Sequence, residues 1–456
     1  MVRDPGARLK CLPAAVLDIL LRAGRLADRR GERVFAVGGF VRDLFLGKDN
    51  YDIDLVVEGD GQEYARCLSE EMGARLVAFG RFGTARLCLP GGGKVDVATA
   101  RRESYPRAAV LPVVEFAGLQ EDLGRRDFTI NAMAIALNGD TFGKLVDYYG
   151  GRRDLEARTI RALHPLSFVD DPTRVFRAVR FEQRYGYALE PDTMELARQA
   201  VTLGMLARVS RDRLRNELIL VLGEPEPYRA LRRLDELGAM DYLLGESKRE
   251  AFDASTLAAL RRGPAALAMA RRYLGPHSVV GWLVYLILLL HRMEPDKAAA
   301  FLDAWAFPRR ATTRTLFSCR EWPVTLAFLE KAGPVRGRSL WEILEPWPPE
   351  GLAALAALSA TRRAVRRIRR FWERISRIRL LISGEDLQRM GYRPGPDFKE
   401  ALREVLKAKI DGRVQGRERE LARAARYLEK KRGTCRDERG GNDLPPAGPA
   451  GSHRRA

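Results

Sequence analysis

The chain has 456 residues, which is long enough for several domains with cores of their own. Its 79 lysines and arginines exceed its 60 acidic residues, and the formal net charge of +19 favours a polyanionic partner. The five cysteines and four histidines show no metal-ligand spacing, so we expect no zinc site. The longest apolar run, at 278–290, is too short to span a bilayer, and no signal-peptide pattern opens the chain. We therefore expect a cytoplasmic protein without a membrane partner.

The first elements predict a phosphate-binding turn. Residues 12–30 are typical of an amphipathic helix, and Arg33–Val37 predicts a short buried strand. Gly38 and Gly39 follow, and the absence of side chains there lets the backbone approach a ligand. The next segment opens as a helix, whose N-terminal amides favour phosphate.

Asp52 and Asp54 are the most informative pair in the sequence. Alternate side chains of a strand share a face, so the two carboxylates point the same way while Ile53 and Leu55 pack behind them. Neighbouring carboxylates repel each other unless a cation lies between them, and hard oxygen ligands suit Mg²⁺. An isolated Asp-x-Asp is more often a solvated strand face. A phosphate turn followed by this pair, however, predicts nucleotidyl transfer.

The remaining elements divide the chain into an α/β part and a helical part. Up to about residue 145, strands alternate with helices, and Pro90–Gly93 predicts the turn of a hairpin between 86–89 and 94–97. From Asp154 onward, strand signals almost vanish, and leucine, alanine and arginine recur with helical spacing. The last two-thirds of the chain should therefore be helical.

Several segments in this order resemble motifs of the class II nucleotidyltransferases, the family of bacterial tRNA CCA-adding enzymes and poly(A) polymerases. They are Gly38–Asp43 with Asp52–Asp54, Glu121–Ala134, Val146–Leu155, Asp170–Phe181 and the tail segments Ile382–Leu387 and Pro394–Pro396. The resemblance implies an α+β fold, with a polymerase-β-like nucleotidyltransferase head of mixed sheet and helices followed by all-α neck, body and tail domains. The expected divisions are a head at 1–145, a neck at 146–215, a body at 216–330, a basic tail at 331–432 and a disordered terminus at 433–456.

The resemblance also implies site residues. Asp52 and Asp54 would hold two Mg²⁺ ions. Asp96 would be a third catalytic carboxylate, and the equally weighted alternative is that Asp96 is an ordinary charge on an exposed strand face. The expected nucleotide-binding residues, which contact phosphate, sugar or base, are Gly38, Gly39, Arg42, Asp43, Arg126, Asp127, Asn131, Asp171, Arg174, Arg177 and Arg180.

Asp171 and Arg174 are expected to read the base. At positions i and i+3 they would share a helical face, which Arg177 extends. A carboxylate accepts from the exocyclic amine of cytosine or adenine, and a guanidinium donates to the neighbouring ring nitrogen. Uracil and guanine present mismatched edges, so the pair would admit CTP and ATP alone. The alternative is a capping role for Asp171, with Pro172 at the first helical position.

The tail contains a strongly basic segment, 361–379, with nine arginines and one acid. Its apolar residues keep helical spacing, so one face should pack and the other should be basic. We expect Arg362, Arg366 and Arg370 to bind the tRNA backbone with marked salt dependence. A solvated helix face is the alternative.

The expected function is addition of CCA to the 3′ end of tRNA from CTP and ATP. The segment 100–115 resembles A-adding relatives at least as much, so A-only and CC-only addition and poly(A) synthesis remain alternatives. A different alternative is an idle RNA-binding protein on the same fold. Asp52 and Asp54 argue against it, because an idle descendant has no physical need for two adjacent carboxylates.

Overall fold

The computed structural model describes residues 5–79, 83–104 and 113–437. It divides into two compact units. Unit 1 runs to Arg261 and includes Gly281–Thr312, and unit 2 comprises Arg262–Val280 and the chain from Thr313 onward. Among the described residues, the helices are all too short or too polar to cross a membrane.

Eleven short strands occur in the described part of the chain. They are β1 (Arg33–Val37), β2 (Ile53–Glu58), β3 (Arg75–Phe79), β4 (Thr84–Cys88), β5 (Lys94–Thr99), β6 (Arg101–Ser104), β7 (Val113–Phe116), β8 (Ala134–Ala136), β9 (Leu145–Val146), β10 (Thr159–Ile160) and β11 (Ala188–Leu189). Seven of them form one sheet in the order β3-β4-β5-β2-β1-β8-β9, while β6 pairs with β7 and β10 with β11.

The helices of unit 1, as far as it is described, begin before the first strand and dominate its second half. They are α1 (Pro5–Leu9), α2 (Ala14–Arg30), α3 (Gly38–Leu46), α4 (Gly61–Met72), α5 (Leu119–Gly124), α6 (Gly151–Glu156), α7 (Ser167–Asp170), α8 (Arg174–Tyr185), α9 (Pro191–Thr202), α10 (Arg211–Leu222), α11 (Pro227–Glu236), α12 (Ala239–Leu244), α13 (Lys248–Ala251), α14 (Ala254–Leu274, which continues into unit 2), α15 (Gly281–Leu290), α16 (Pro295–Ala304) and α17 (Arg309–Glu330, which also continues into unit 2).

Unit 2 contains α18 (Gly337–Leu344), α19 (Pro349–Leu358), α20 (Arg362–Glu373), α21 (Gly384–Arg389), α22 (Pro396–Ile410) and α23 (Arg417–Asp437). Four 3₁₀ segments complete the described structure, at Thr129–Asn131, Met205–Arg208, Gly245–Ser247 and Ile375–Arg377. Residues of α21, α22 and α23 share an apolar cluster, in which Leu387, Ala401 and Val405 are fully buried.

The large sheet is mixed, because β2 and β5 run parallel while its other neighbours are antiparallel. Successive residues of β1 and β2 point to opposite faces, so residues two apart share a face. Phe35, Val37 and Val56 occupy one apolar cluster with Leu119 and Leu123 of α5. The mixed sheet with its helices confirms the predicted α+β class.

Most local predictions agree with the structure. The predicted helix at 12–30 is α2, the predicted strand is β1, and the predicted hairpin is the antiparallel pair of β4 and β5. The apolar run at 278–290 contains α15, whose residues from Leu283 to Leu290 are all buried.

Other predictions need correction or fall outside the described residues. The neck was expected to be all-α, but it contains the parallel pair of β10 and β11. The backbone groups of Thr159–Ile160 form hydrogen bonds with those of Ala188–Leu189, a segment more distant in the chain. The terminus expected to be disordered begins with five residues, 433–437, that continue α23. The rest of it, 438–456, and the middle of the segment 100–115 lie outside the described residues. The division of the chain into head, neck, body and tail stays a prediction.

Candidate active site

Two of the predicted carboxylates are direct neighbours in the sheet. Asp54 of β2 and Asp96 of β5 are register partners in the parallel ladder, so their side chains point to the same face. Asp52 does not lie in β2, which begins at Ile53, and its side chain is 63% exposed. Ile53 and Leu55 are buried behind the pair, as predicted.

The hairpin of β4 and β5 supplies a cation to each outer carboxylate. Arg86 donates from Nε and Nη2 to the two oxygens of Asp96, at 2.6 and 2.9 Å. Lys94 Nζ lies 3.3 Å from Asp52 Oδ2. Sequence reasoning missed both cations. Arg86 could have been found, because it is the register partner of Asp96 across the predicted hairpin.

Asp54 lies deeper than Asp52 and has a perturbed acidity. Burial raises the pKa of Asp54 to about 6; the charge of Arg126 opposes the shift, and the carboxylates of Asp96 and Asp52 add to it. Asp54, Asp96, Arg86 and Arg126 line one cleft with a volume of about 310 Å³. The cleft therefore places two carboxylates beside arginine side chains, and a bound cation would lie against the carboxylates.

The donor set fits Mg²⁺ as a pair of hard oxygen ligands. Asp52 and Asp54 bring carboxylates to one place, and the charge of Asp52 adds to the burial that raises the pKa of Asp54. Within the described residues, no group of three or more histidine, cysteine, aspartate or glutamate side chains is arranged to hold an ion. A third-ligand role for Asp96, whose carboxylate Arg86 holds, stays a prediction.

The glycine turn lies directly beside this cleft. Gly38 has a φ of +67°, and a Cβ at this position would lie 2.8 Å from Arg126 Nη1 and 3.7 Å from Asp54 Oδ2. Only glycine adopts this conformation at so close an approach without strain. A Cβ at Gly39 would lie 3.5 Å from Arg42 Nη2, which is an ordinary contact. The fold therefore requires glycine at Gly38 but not at Gly39.

Arg42 is buried and anchored. It donates from Nε and Nη2 to both oxygens of Asp43, at 2.9 and 3.0 Å, and from Nη1 to Asn131 Oδ1 at 2.6 Å. Its guanidinium carbon also lies 4.8 Å from the ring centre of Tyr185. The structure thus brings together Arg42, Asp43 and Asn131, three predicted site residues from two motifs. Their contact with a nucleotide stays a prediction.

Arg126 bridges the glycine turn and a buried acid that sequence reasoning missed. Its Nη2 donates to Asp122 Oδ2 at 3.0 Å, and Asp122 is fully buried. Arg125 donates to the other oxygen of Asp122, at 2.6 Å from Nη2. Nε of Arg126 is buried and has no hydrogen-bond partner among the described protein atoms. Arg126 therefore keeps donor capacity at the edge of the carboxylate cleft.

Asp127 joins the second motif to α8. Arg177 donates to Asp127 Oδ2 from Nε and Nη2, at 2.9 and 2.6 Å, and Asn131 Nδ2 donates to Oδ1 at 2.8 Å. Although burial alone would raise it, the pKa of Asp127 falls to about 2 because of Arg177 and these hydrogen bonds. In this conformation Arg177 connects two segments of unit 1.

The predicted shared helical face of Asp171 and Arg174 is wrong. Helix α8 begins at Arg174, and Asp171 precedes it in an extended conformation. Asp171 Oδ1 accepts from the amide and hydroxyl of Thr173, at 3.1 and 2.6 Å, and from Arg213 Nη2 at 2.8 Å. Pro172 and Thr173 form the turn before α8, and they separate the two residues from a common helix.

The two remaining arginines of this motif are also engaged. Arg174 is buried and donates to Ser167 Oγ and to the carbonyl oxygen of Arg125, both at 2.7 Å. Arg180 is buried near Glu217, with Nη2 at 3.6 Å from Oε2, and its Nε has no hydrogen-bond partner among the described residues. Base reading by Asp171 and Arg174 stays a prediction.

In unit 2, α20 has the predicted amphipathic character. Ile368 and Trp372 are buried, while Arg362, Arg366 and Arg370 are exposed. Arg367, in contrast, is buried and donates to carbonyl oxygens at the end of α17, including that of Leu329 at 2.9 Å. The basic segment therefore contains exposed cations and one buried arginine, and the exposed Arg370 also donates to the carbonyl oxygen of Val335 at 3.2 Å.

Comparison with known proteins agrees with this architecture of a mixed-sheet nucleotidyltransferase head. The family model described as the poly(A) polymerase head domain matches residues 34–161, and the model described as the probable RNA and SrmB-binding site of polymerase A matches 186–250. The A-adding tRNA nucleotidyltransferase of Halalkalibacterium halodurans is 31% identical over 91% of this chain and 93% of its own length. The chain belongs to the tRNA nucleotidyltransferase and poly(A) polymerase family.

Two further relatives extend the comparison. The A-adding tRNA nucleotidyltransferase of Geobacter sulfurreducens is 37% identical over 92% of this chain, and the chain spans only 48% of that protein's length. The structure of the Thermotoga maritima CCA-adding enzyme complexed with tRNA has a TM-score of 0.73 and 31% identity, over 93% of this chain and 99% of that one.

Proposed function

We propose that this protein is a tRNA nucleotidyltransferase that adds nucleotides to the tRNA 3′ end from nucleoside triphosphates. One observation carries the proposal: Asp54, Gly38 and Arg126 meet at a single point, with Asp52 and Asp96 beside them. A carboxylate pair, a glycine at the start of a helix and a guanidinium are the groups that nucleotidyl transfer requires.

The proposed chemistry follows from these groups. The 3′-hydroxyl oxygen of tRNA attacks the α-phosphorus, the bond to the β-phosphate oxygen breaks, and pyrophosphate leaves as the hydroxyl loses its proton. Asp52 and Asp54 would hold Mg²⁺, which supplies activation of the hydroxyl and neutralisation of the leaving group. Arg126 and the N-terminal amides of α3 would orient the triphosphate, because both present donors beside the carboxylates.

Base choice is proposed to rest on Asp171 and Arg174. Both residues lie in the segment before or at the start of α8, and both already make hydrogen bonds through the atoms that would face a base. Binding of cytosine or adenine would exchange the contacts to Arg213 and Ser167 for contacts to the base edge. A base that offers a donor to Arg174 would leave buried groups unpaired, at a cost of about 1–3 kcal/mol each.

Addition of A to a tRNA that already ends in CC is the first candidate for the specific activity. The support is that two relatives matching more than nine-tenths of this chain, at 37% and 31% identity, are named A-adding. Complete CCA addition, the expectation from sequence, is the second candidate, supported by the likeness to a CCA-adding enzyme.

The tail is proposed to bind the tRNA backbone through α20. Arg362, Arg366 and Arg370 repeat every four residues on the exposed side of a helix whose apolar side is buried. Closely spaced guanidinium groups bind phosphates and release counterions, so the interaction should weaken with salt. The cytoplasm stays the predicted location.

One experiment separates the candidates. Purified protein is incubated with Mg²⁺ and tRNA transcripts ending at the discriminator base, at C or at CC, each with one labelled triphosphate. Incorporation of ATP alone, and only on the CC transcript, supports A addition. Incorporation of CTP on the shorter transcripts together with ATP on the CC transcript supports complete CCA addition. Incorporation of CTP without ATP would indicate CC addition. Extension of an oligo(A) primer would indicate poly(A) synthesis. Transcript binding without incorporation would overturn the enzymatic proposal.

A further inference from the structure

A second cavity of about 390 Å³ lies in unit 1, between the C-terminal ends of α3 and α8 and the helix α6. It shares no lining residue with the carboxylate cleft. Its aromatic lining consists of Phe45, Tyr185 and Tyr187, and the two tyrosine ring centres lie 5.7 Å apart. The cavity therefore offers flat apolar surface, and Tyr185 in its wall also contacts Arg42.

The other lining side chains are mostly cationic. They include Arg8, Lys48, Arg152 and Arg158, against a single acid, Glu156. That acid already accepts from Arg152 Nε at 3.3 Å, so it offsets little of the positive charge. Lys48 Nζ lies 4.2 Å from the ring centre of Tyr185, over the aromatic wall. Cations around aromatic rings suit a ligand that has both negative charge and a flat ring.

Two further features distinguish this cavity. Nε of Arg8 is buried and lacks a hydrogen-bond partner among the described protein atoms, although buried donors are nearly always paired. Arg158 has a φ of +56°, a left-handed conformation that is costly for a residue with a Cβ. Glycine would remove that strain, so an arginine occupies this position at a conformational cost.

We propose that this cavity is a second nucleotide-binding site, with the base against Tyr187 and the phosphate against Arg8, Lys48 and Arg158. Stacking on tyrosine tolerates any base, and guanidinium groups bind phosphate oxygens with directed donors. The volume falls within the range of small-ligand sites. The same chemistry describes a free nucleotide and a nucleotide unit of a bound RNA strand.

The test counts bound nucleotides. Equilibrium dialysis with labelled ATP should give two molecules per wild-type chain, and one per chain for Arg158→Gly and for Tyr187→Ala. Loss of stacking should weaken this second site by about tenfold or more. Arg158→Gly should not lower the melting temperature, because glycine accepts the left-handed conformation. Arg153→Ala is the matched control, since Arg153 is an exposed arginine of α6 outside the cavity lining. This variant should still bind two ATP molecules per chain.

A second arm identifies the source of the nucleotide. If wild-type protein binds one ATP, while Arg158→Gly and Tyr187→Ala weaken tRNA binding by about tenfold and Arg153→Ala does not, the site takes a nucleotide of the RNA strand. The proposal is overturned if both variants keep two bound ATP molecules. It is equally overturned if wild-type protein binds one ATP and neither variant changes tRNA affinity.

Discussion

Arg86 holds Asp96 in a two-pronged ion pair, with donor–acceptor distances of 2.6 and 2.9 Å, one strand away from Asp54. The contact joins register partners across the β4–β5 hairpin. Asp54 is the more deeply buried carboxylate, and Asp52, two residues earlier in the chain, is exposed. The metal-binding role of Asp52 and Asp54 stays a prediction.

The first prediction concerns that pair. Asp52→Ala and Asp54→Ala should each lower incorporation by about a thousandfold or more, since the charge on the leaving group would lose its cation. Melting temperature should not fall, because Asp52 is exposed and burial destabilises the charged form of Asp54. The affinity for tRNA should stay close to wild type. Asp49→Ala, at an exposed position just ahead of the pair, is the control and should keep full activity. Wild-type turnover in both variants would show that this cleft is not the active site.

The second prediction compares the two adjacent glycines. Gly38→Ala should destabilise the protein by about 1 kcal/mol or more, because of its positive φ, and should displace Arg126 and so reduce kcat. Gly39→Ala, where a Cβ has ordinary room, should keep the melting temperature and raise KM for the triphosphate if Gly39 contacts phosphate. Thermal unfolding and steady-state kinetics distinguish the two. Equal melting temperatures for both variants would contradict the geometry of the turn.

The third prediction concerns pH and a buried histidine that directly follows α15. Burial lowers the pKa of His291 to about 4, against a hydrogen bond to the carbonyl of Leu288 that favours the charged form. In the unfolded chain the pKa of His291 is near 6.5. Between about pH 6.5 and pH 4 the unfolded state therefore binds more protons than the folded state, and the free energy of unfolding falls as pH falls through that window. By pH 5 the loss relative to pH 8 should be about 2 kcal/mol.

Urea unfolding at several pH values measures this loss. His291→Leu should flatten the dependence between pH 4 and pH 6.5, whatever its own stability at pH 8. A substitution at the exposed His277 should leave the slope as in wild type and is the control. An unchanged slope in His291→Leu would mean that other groups cause the acid sensitivity.

The fourth prediction tests base choice. Asp171→Ala should raise UTP incorporation relative to CTP or ATP, because it removes the acceptor for the exocyclic amine. Arg174→Ala should weaken CTP and ATP together. If Asp171 only orders the turn through Thr173 and Arg213, the variant should lose about 0.5–2 kcal/mol of stability with its base preference intact. Ratios of kcat/KM, measured beside melting temperature, separate the two roles.

The fifth prediction concerns the exposed arginines of α20. The double variant Arg362→Glu and Arg366→Glu should weaken tRNA binding and reduce its salt slope by about 1 for each phosphate that the helix no longer neutralises. Triphosphate affinity should not change. Arg367→Met is the contrasting variant, because that buried arginine binds carbonyl oxygens and its replacement should lower stability without altering the slope. If tRNA binding by the double variant keeps the wild-type salt dependence, α20 presents a solvated face and does not bind tRNA.

Local chemistry was sufficient to predict much of the head. The strand Arg33–Val37, the glycine turn and the following helix depend on neighbours in sequence, and so does the burial of Ile53 and Leu55 behind the aspartates. The hairpin of β4 and β5 was predicted for the same reason, since its turn residues lie between its strands. The two-residue pair of β10 and β11 escaped prediction because its hydrogen bonds join segments far apart in the chain.

The ion pairs of the site required the folded chain. Motif residues with predicted ligand roles are held by partners that no short-range pattern names: Asp127 by Arg177, 50 residues away, and Asp171 by Arg213, 42 residues away. The residue types and their spacing determine which chemistry the chain can perform, because strand alternation and helix termini act over a few residues. Which arginine meets which carboxylate, and which of them stays available to a ligand, depends on packing between distant elements and is decided only by the tertiary structure.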